Sequence, residues 1–440
     1  MSHSGKITQI PSSTVSRTRR FATMGIRSAG CYIQNLFARA LSTGDEKDEI
    51  SRQHRIKQAR IFANELGKMK GAAMKVGQLM GLVGVHFGLS MDICEVMSSL
   101  NDSSVPLYWE CIGNQLNTLS ADLEVFDIQK EAVSAASLGQ VHKAIHKETG
   151  KEYCFKIQYP SLKRTVDSDL KALSIALGVS NFFPEGLNPE PLLNEIRTLL
   201  LAELDYLREV RFMDIFRSEF QSETLKVPGV LKEYSSENVI CMEFINGFPL
   251  DSIEVSSLSQ KMRDSLGEKL IDITLREIFV LNAMQTDPNM GNFMVEITES
   301  SVPTLYLLDF GAVKVFPENF ILAYREMIRG SWESNRDRMF YAIRELDFMP
   351  DTTPRSVKEQ FCELVDIALE PFKPQRKYNW NTSDVPIRLS NLAARSALTP
   401  YFRLPPEEIL FLHRKLAGVF AALSFLGVEM DTSHILEKYI

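Results

Sequence analysis

The sequence lacks the features that announce several common protein classes. Its six cysteines, Cys31, Cys94, Cys111, Cys154, Cys241 and Cys362, are scattered, and none forms a CxxC pair. No two histidines have HExxH spacing. A disulfide framework and a zinc site are therefore not expected, and the cysteines read as packing residues in a reducing compartment. No window reaches the roughly 18 apolar residues a membrane span needs. The most apolar stretch, LAGVFAALSFLGV, is too short and reads as a buried helix. A net charge of −7 argues against a general nucleic-acid binder. No internal repeat and no low-complexity tract is evident.

The first 44 residues lack acidic side chains but hold Lys6, Arg17, Arg19, Arg20, Arg27 and Arg39. That composition suits a mitochondrial transit peptide or a basic arm. Within it, Ile33, Leu36, Phe37, Ala40 and Leu41 fall on one helical face, which fits an anionic membrane surface or burial against the protein.

What is present is a spaced set of polar residues. Asp287 is followed five positions later by Asn292 in TDPNMGNF, and Asp309-Phe310-Gly311 closes the apolar run LYLLDFG. An Asp, an Asn five residues on and a DFG are how protein kinases arrange phosphoryl transfer. The first Asp meets the nucleophile, and the Asn and second Asp hold Mg²⁺ on the ATP phosphates. Each piece alone is also a common turn or strand end. The combination, with a strand between Asn292 and Asp309, is the order a metal-binding hairpin requires.

Lys156 lies in YCFKIQY. In a strand, Tyr153, Phe155 and Ile157 share one face, and Cys154 and Lys156 the other. Such a lysine either reaches nucleotide phosphates, fixed by a carboxylate, or sits on an exposed edge. Carboxylates come from LLLAELDYLREV, with Glu203, Asp205 and Glu209. On one continuous helix Glu203 and Glu209 occupy different faces, so they are expected to serve different cations. A solvated acidic face fits the same pattern. Ser134, Ala135, Ala136, Ser137 and Gly139, in SAASLGQVH, occupy the place of a phosphate-covering loop, with one glycine where kinases have GxGxxG. Met242, Glu243 and Phe244 precede Asn246-Gly247 and suit a hinge whose backbone meets adenine, or an ordinary strand end.

Periodicity predicts helices from about 45 to 105, over VPLYWECIGNQLNTLS, and over 161–177 and 190–218. It predicts a β-hairpin around KETGKE and a second β pair, VLKEYSSENVICMEFI, about a turn at Ser235–Asn238. The expected class is α+β, a two-lobed protein-kinase-like fold. Its expected parts are a basic segment (1–44), a helical extension (45–125), an N-lobe (126–245) and a mostly helical C-lobe (246–440).

These residues together resemble the UbiB, or AarF-domain (ABC1-type), family of atypical kinase-like proteins over nearly the whole chain. The most specific motif is KxGQ, here Lys75-Val76-Gly77-Gln78; the Ala-rich loop is SAASLGQVH and the ExD motif is Glu203-Leu204-Asp205. The tail LHRKLAGVF looks like the coenzyme Q biosynthesis branch. The resemblance implies that Lys156 pairs with Glu209. It implies that Lys75 and Gln78 fold over the site and meet Glu203 and Asp205. It places Asp287 at the catalytic-loop position, with Gln285-Thr286 where kinases have His-Arg, and Asn292 and Asp309 at the metal positions. Ser134 stands where the family has Ala, and no APE motif follows. The implied activity is an ATP- and Mg²⁺-dependent ATPase or small-molecule kinase supporting ubiquinone synthesis. A protein kinase and a nucleotide-sensing scaffold are the alternatives. The implied partners are anionic membrane lipids and coenzyme Q precursors or biosynthetic proteins. The core starts near Pro11, which favours a bacterial cytoplasmic protein peripheral to the inner membrane, with the mitochondrial matrix as the alternative.

Overall fold

A computed structural model describes residues 45–68, 72–84, 89–98, 106–135, 138–180, 188–287, 289–297, 302–374, 377–397 and 406–440. The basic start, with its amphipathic stretch at 33–41, lies outside these residues, as do Ala136 and Ser137. The chain divides into two compact units, 1–211 with 229–244, and 212–228 with 245–440.

The first unit opens with helices α1 (Asp45–Lys68), α2 (Ala72–Val83) and α3 (Met91–Ser98). They pack through Phe62, Leu66, Met80, Ile93 and Met97, all buried. Gly81 lets α2 approach α3, since a Cβ there would stand 2.5 Å from the Ser98 backbone nitrogen. Arg52 clamps Asp92 with two hydrogen bonds of 2.7 and 2.9 Å. The helix expected at 106–120 is one α turn, α4 (Trp109–Ile112), followed by a 3₁₀ stretch, Gly113–Thr118.

Strands β1 (Phe126–Ala135), β2 (Gly139–His146) and β3 (Glu152–Gln158) follow, then α5 (Leu162–Ser180), α6 (Glu190–Glu203) and α7 (Tyr206–Phe220). After β4 (Leu225–Lys226), which pairs in the second unit, β5 (Val239–Glu243) completes an antiparallel sheet in the order β1-β2-β3-β5. Phe126 sits at its core, edge-on to Tyr153, Phe155 and Tyr234. Gly150, with φ of 66°, turns the KETGKE hairpin. The second expected β pair is only half formed. VLKEY makes a 3₁₀ turn at Lys232–Tyr234, touching β5 only through isolated bridges such as Val230 to Met242. The Ser235 hydroxyl causes this, because it donates to Leu231 O at 2.9 Å and accepts from Cys241 N at 3.0 Å, diverting the backbone from a ladder.

Two residues of β2 tie the extension to the sheet. The Gln140 side chain accepts from Leu107 N (2.8 Å) and donates to Leu107 O (3.1 Å). His142 is buried, with Nε2 2.9 Å from Gln140 Nε2 and Nδ1 2.8 Å from Gln129 O. With Gln140 donating, the ring is neutral and its Nδ1–H goes to Gln129. Burial holds the imidazole below its ordinary value of 6.5.

In the second unit, β4 pairs in parallel with β9 (Thr304–Leu307) in a sheet ordered β4-β9-β8-β6, where β6 is Phe248–Pro249 and β8 is Phe293–Glu296. Here β7 (Ala283–Gln285) pairs with β10 (Val313–Val315). The remaining elements are mostly helical: α8 (Ile253–Ser256), α9 (Gln260–Phe279), α10 (Glu318–Trp332), α11 (Arg336–Glu345), α12 (Arg355–Ala368), α13 (Val385–Ala397), α14 (Glu407–Leu426) and α15 (Ser433–Leu436). The apolar C-terminal run proves longer than its sequence suggests. It belongs to α14, whose 20 residues are long and apolar enough to cross a membrane by length and composition. Its Lys415 is fully buried in an ion pair, which reads as a core helix of a folded unit.

Two outcomes follow from this packing. Gly139→Ala places a methyl 2.6 Å from Ile157 O and 2.8 Å from the Tyr206 hydroxyl. It is expected to cost about 1–3 kcal/mol, read as a lowered midpoint in denaturant titration. For His142, the folded pKa lies below the unfolded one, so the neutral ring's contribution is intact above pH ~6.5 and lost as pH falls below it, by at most about 1.4 kcal/mol per unit. Stability measured from pH 7 to 5 should fall less steeply in His142→Asn than in the parent chain.

Candidate functional site

In the first unit, the pairing of Lys156 with Ile240 and Val141 places its side chain on the face away from Phe155. Phe155 and Ile157 are fully buried, whereas Lys156 is partly open. The Lys156 ammonium lies 2.7 Å from Glu209 Oε1 and 5.4 Å from the centre of the Tyr206 ring. Glu209 is 1% exposed. The carboxylate therefore fixes the lysine head, and the lysine is the partly accessible member of the pair.

The acidic segment is not one helix. The chain breaks at Leu204-Asp205, between α6 and α7. Asp205 caps α7, accepting from Arg208 N at 2.9 Å, with Arg211 3.9 Å away. Gln158, two residues after Lys156, donates to Leu204 O at 3.1 Å. Glu203, at the end of α6, pairs with Lys75 of α2 at 3.0 Å, both 13% exposed. The structure thus joins Lys75 to Glu203 and Lys156 to Glu209. Asp205 is engaged in capping instead of meeting Lys75. Gly77 and Gln78 lie on α2, buried and half-buried respectively.

The Ala-rich segment divides into two parts. Ser134 and Ala135 end β1, opposite Val141 and Gln140, next to two register irregularities in that strand. Ser134 is exposed. Gly139 is different: it is buried as the first residue of β2, against β3 and Tyr206, and is not part of an open loop. Close packing against the Ile157 carbonyl accounts for this glycine. At the end of β5, two backbone N–H groups are already paired. Glu243 N donates to Gly229 O (2.9 Å) and Phe244 N to Glu152 O (3.2 Å). The Glu243 side chain accepts from Lys151 (2.9 Å) and from Gly229 N (2.8 Å).

In the second unit, Thr286 anchors the loop that carries Asp287. Its N–H and hydroxyl both donate to Ala312 O, at 3.0 and 2.8 Å. Asp287 Oδ2 accepts from Asn292 Nδ2 at 3.2 Å, and Asp287 Oδ1 from Asn289 N at 3.3 Å. The hairpin register, Phe293 opposite Leu307, then brings Asn292 level with Leu308, whose N–H donates to Asn292 O at 3.0 Å. Asp309 is the next residue and folds back on itself, accepting from Gly311 N at 3.0 Å. Phe310 is fully buried against Phe216, 4.9 Å between ring centres.

Asn292 gives its amide hydrogen to Asp287, which leaves its Oδ1 as an oxygen donor, and Asp309 supplies a carboxylate. Hard oxygen ligands of this kind suit Mg²⁺, which commonly takes one or two protein ligands and completes its shell with phosphate and water. Among the described residues, no group of three or more His, Cys, Asp or Glu forms a metal cluster by itself.

The sequence reading missed a second layer in this unit. Lys415 of α14 is 1% exposed, 3.2 Å from Glu277 Oε2 and 3.0 Å from Gln285 Oε1. Burial pushes the Glu277 carboxyl up, against the pull of the Lys415 ammonium. The adjacent Arg414 lies 3.8 Å from Asp287 Oδ1. The only sequence signal was the basic pair within LHRKLAGVF.

The chain is similar to several known proteins. Residues 111–342 match the ABC1 atypical kinase-like domain. The chain is 30% identical over 428 residues to the rat protein named atypical kinase COQ8B, mitochondrial, spanning 96% of this chain and 79% of that one. It is 29% identical over 388 residues to Saccharomyces cerevisiae atypical kinase COQ8, mitochondrial, spanning 86% and 75%. It is 24% identical over 364 residues to the probable protein kinase UbiB of Aeromonas hydrophila, spanning 79% and 61%. Among solved structures, the Mycobacterium tuberculosis protein Rv3197, in complex with erythromycin, is similar with a TM-score of 0.61 and 26% identity, over 90% of this chain and 98% of that one.

The pairing of Lys75 can be measured directly. A double-mutant cycle on Lys75→Met and Glu203→Gln should give a coupling of about 1–3 kcal/mol in unfolding free energy. The same cycle with Asp205→Asn should give less than about 0.5 kcal/mol, since that carboxylate caps a helix. Equal coupling in both cycles would contradict the separation.

Proposed function

We propose, because the chain belongs to the ABC1 atypical kinase-like family, that it is an ATP- and Mg²⁺-dependent ATPase of that family, supporting coenzyme Q biosynthesis at a membrane surface. The observation that carries the reading is the Asp287–Asn292 hydrogen bond at the open end of the β8–β9 hairpin, the end from which the chain runs on to Asp309.

In this reading Lys156, fixed by Glu209, takes oxygens of the α- and β-phosphates. Ser134 and Ala135 contribute to nucleotide binding. Asn292 and Asp309 hold the cation. When bound, Mg²⁺ neutralises phosphate charge and polarises the bond to the leaving oxygen. Asp287 orients the attacking water, or a small hydroxyl acceptor, and receives its proton. Positioning and charge stabilisation supply most of the rate. Lys75 and Glu203, with Gly77, Gln78 and Asp205, regulate access from the helical extension.

The basic, acid-free start supports attachment to anionic lipids. The rat and yeast relatives, both named mitochondrial, are more similar to this chain than the Aeromonas one. We therefore favour the mitochondrial matrix over a bacterial cytoplasm.

The test is phosphate release from MgATP by purified protein, with and without anionic liposomes, beside Asp309→Asn. The expected result is lipid-stimulated release that Asp309→Asn lowers at least about a hundredfold, the scale for losing one charge-stabilising group. Nucleotide binding with no release by either protein would replace the ATPase by a nucleotide-sensing scaffold.

A further inference from the structure

The loop from Thr286 to Asn292 bears the phosphoryl-transfer residues, yet it lacks the His-Arg that steadies the equivalent loop in protein kinases; Gln285-Thr286 stand there instead. Both are buried, at 4% and 5% exposure. Lys415 touches the residues flanking this loop on both sides. Its ammonium is 3.0 Å from Gln285 Oε1, just before the loop, and 5.5 Å from the ring centre of Phe293, just after it. The same ammonium is held by Glu277 on α9. One buried charge thus gathers both ends of the loop and the helix behind them. Burial and its two polar partners hold the Lys415 ammonium in one place.

The next side chain along α14 reaches the loop itself. Arg414 is 37% exposed, and its guanidinium lies 3.8 Å from Asp287 Oδ1. The other oxygen of Asp287 is held by Asn292. Oδ1 also accepts from Asn289 N at 3.3 Å, so the carboxylate is hydrogen-bonded at both oxygens, with Arg414 as the longer ion pair at Oδ1. Both basic residues lie outside the matched span 111–342.

We infer that Arg414, seated by the buried Lys415–Glu277–Gln285 cluster, is a positioning residue that orients Asp287 and, through it, Asn292 for phosphoryl transfer. The inference rests on the ATP-dependent reading above. Arg414 does not touch the reacting atoms; it stands in for the arginine missing before Asp287.

The experiment compares the full chain with Arg414→Gln and Arg414→Lys. Because the side chain is partly exposed and outside the buried pair, both variants are expected to melt within about 2 °C of the parent. Two quantities are read. The first is the Mg²⁺ concentration at half-saturation of ATP binding, which needs no turnover. Arg414→Gln should raise it about tenfold or more, as loss of a group supporting a metal ligand does, and Arg414→Lys should recover most of the shift. The second is the steady-state rate. Arg414→Gln should lower kcat about ten- to a hundredfold with KM for ATP changed less than about threefold. In an Asp287→Asn background it should change the residual rate less than about twofold, because the group it orients is gone.

An unchanged Mg²⁺ midpoint in Arg414→Gln overturns the inference, whether or not the parent turns over. Equal rate losses in the parent and Asp287→Asn backgrounds also overturn it. Binding without turnover by the parent sinks the ATPase reading alone, and the Mg²⁺ midpoint then decides the positioning role. Failure of the parent to bind MgATP sinks both.

Discussion

The break at Leu204-Asp205 is the constraint on which the first unit depends. A continuous helix would point Glu203 and Glu209 from one rigid rod, and their separation would be set by helix geometry alone. The break frees the Leu204 carbonyl, which Gln158 captures, and lets Asp205 cap the following helix. Lys156 reaches Glu209 from the same strand that supplies Gln158. Two residues of β3 thus hold both sides of the break, while Lys75 holds Glu203 from α2. Tyr206, just after the break, packs where Gly139 leaves room for it. A side chain at 139, a continuous helix or a lost Gln158 would each move the same carboxylates.

The second unit solves a similar problem with shorter pieces. Its Asp287 lies in a loop, where backbone order must come from local hydrogen bonds and not from a ladder. Asn289 caps the turn by accepting from Gly291 N at 2.9 Å, Thr286 ties the loop to Ala312, and Leu308 ties it to the far strand. Phe310, two residues past Leu308 at the same open end of the hairpin, adds an apolar anchor against Phe216. The polar residues are then presented by a frame whose own polar groups are largely satisfied, which is what precise placement requires.

Much of this was legible in the sequence, for identifiable reasons. The spacing from Asp287 to Asn292 and the strand before Asp309 encode local geometry, so they survive translation into structure. Alternation in YCFKIQY gave the face of Lys156 because a strand has a fixed period. The helix break was not legible, because LLLAELDYLREV contains good helix formers and neither Gly nor Pro; a tertiary bond from Gln158 and a cap by Asp205 override its propensity. The 3₁₀ turn in VLKEY was hidden for a similar reason, since one serine hydroxyl redirects a β-like run. Gly139 looked like loop chemistry because the need for close backbone approach has no sequence signature of its own. Lys415 was invisible because it lies far along the chain from Glu277 and Gln285, and a lysine in an apolar helix reads as a surface residue until its partners are known.

The recurring device is a cation held by a carboxylate that is itself withdrawn from water. Glu209 and Glu277 are 1% and 0% exposed, and Glu203 is 13% exposed. Such pairs contribute little net stability, because desolvating the charges offsets most of their attraction, and well-packed apolar residues often do better. Stability alone therefore gives a weak account of three of them in one chain. Orientation gives a stronger one. A buried carboxylate accepts from few directions, so it fixes the direction of the ammonium it binds, and a fixed ammonium has a defined reach. For Lys156 that reach is toward the open side of β3; for Lys415 it is toward the ends of the Asp287 loop; for Lys75 it ties the helical extension to α6. The same arrangement also makes the chain sensitive at positions remote from any reacting atom. Loss of a carboxylate leaves a stranded cation, which disturbs the geometry it held and destabilises the fold as well.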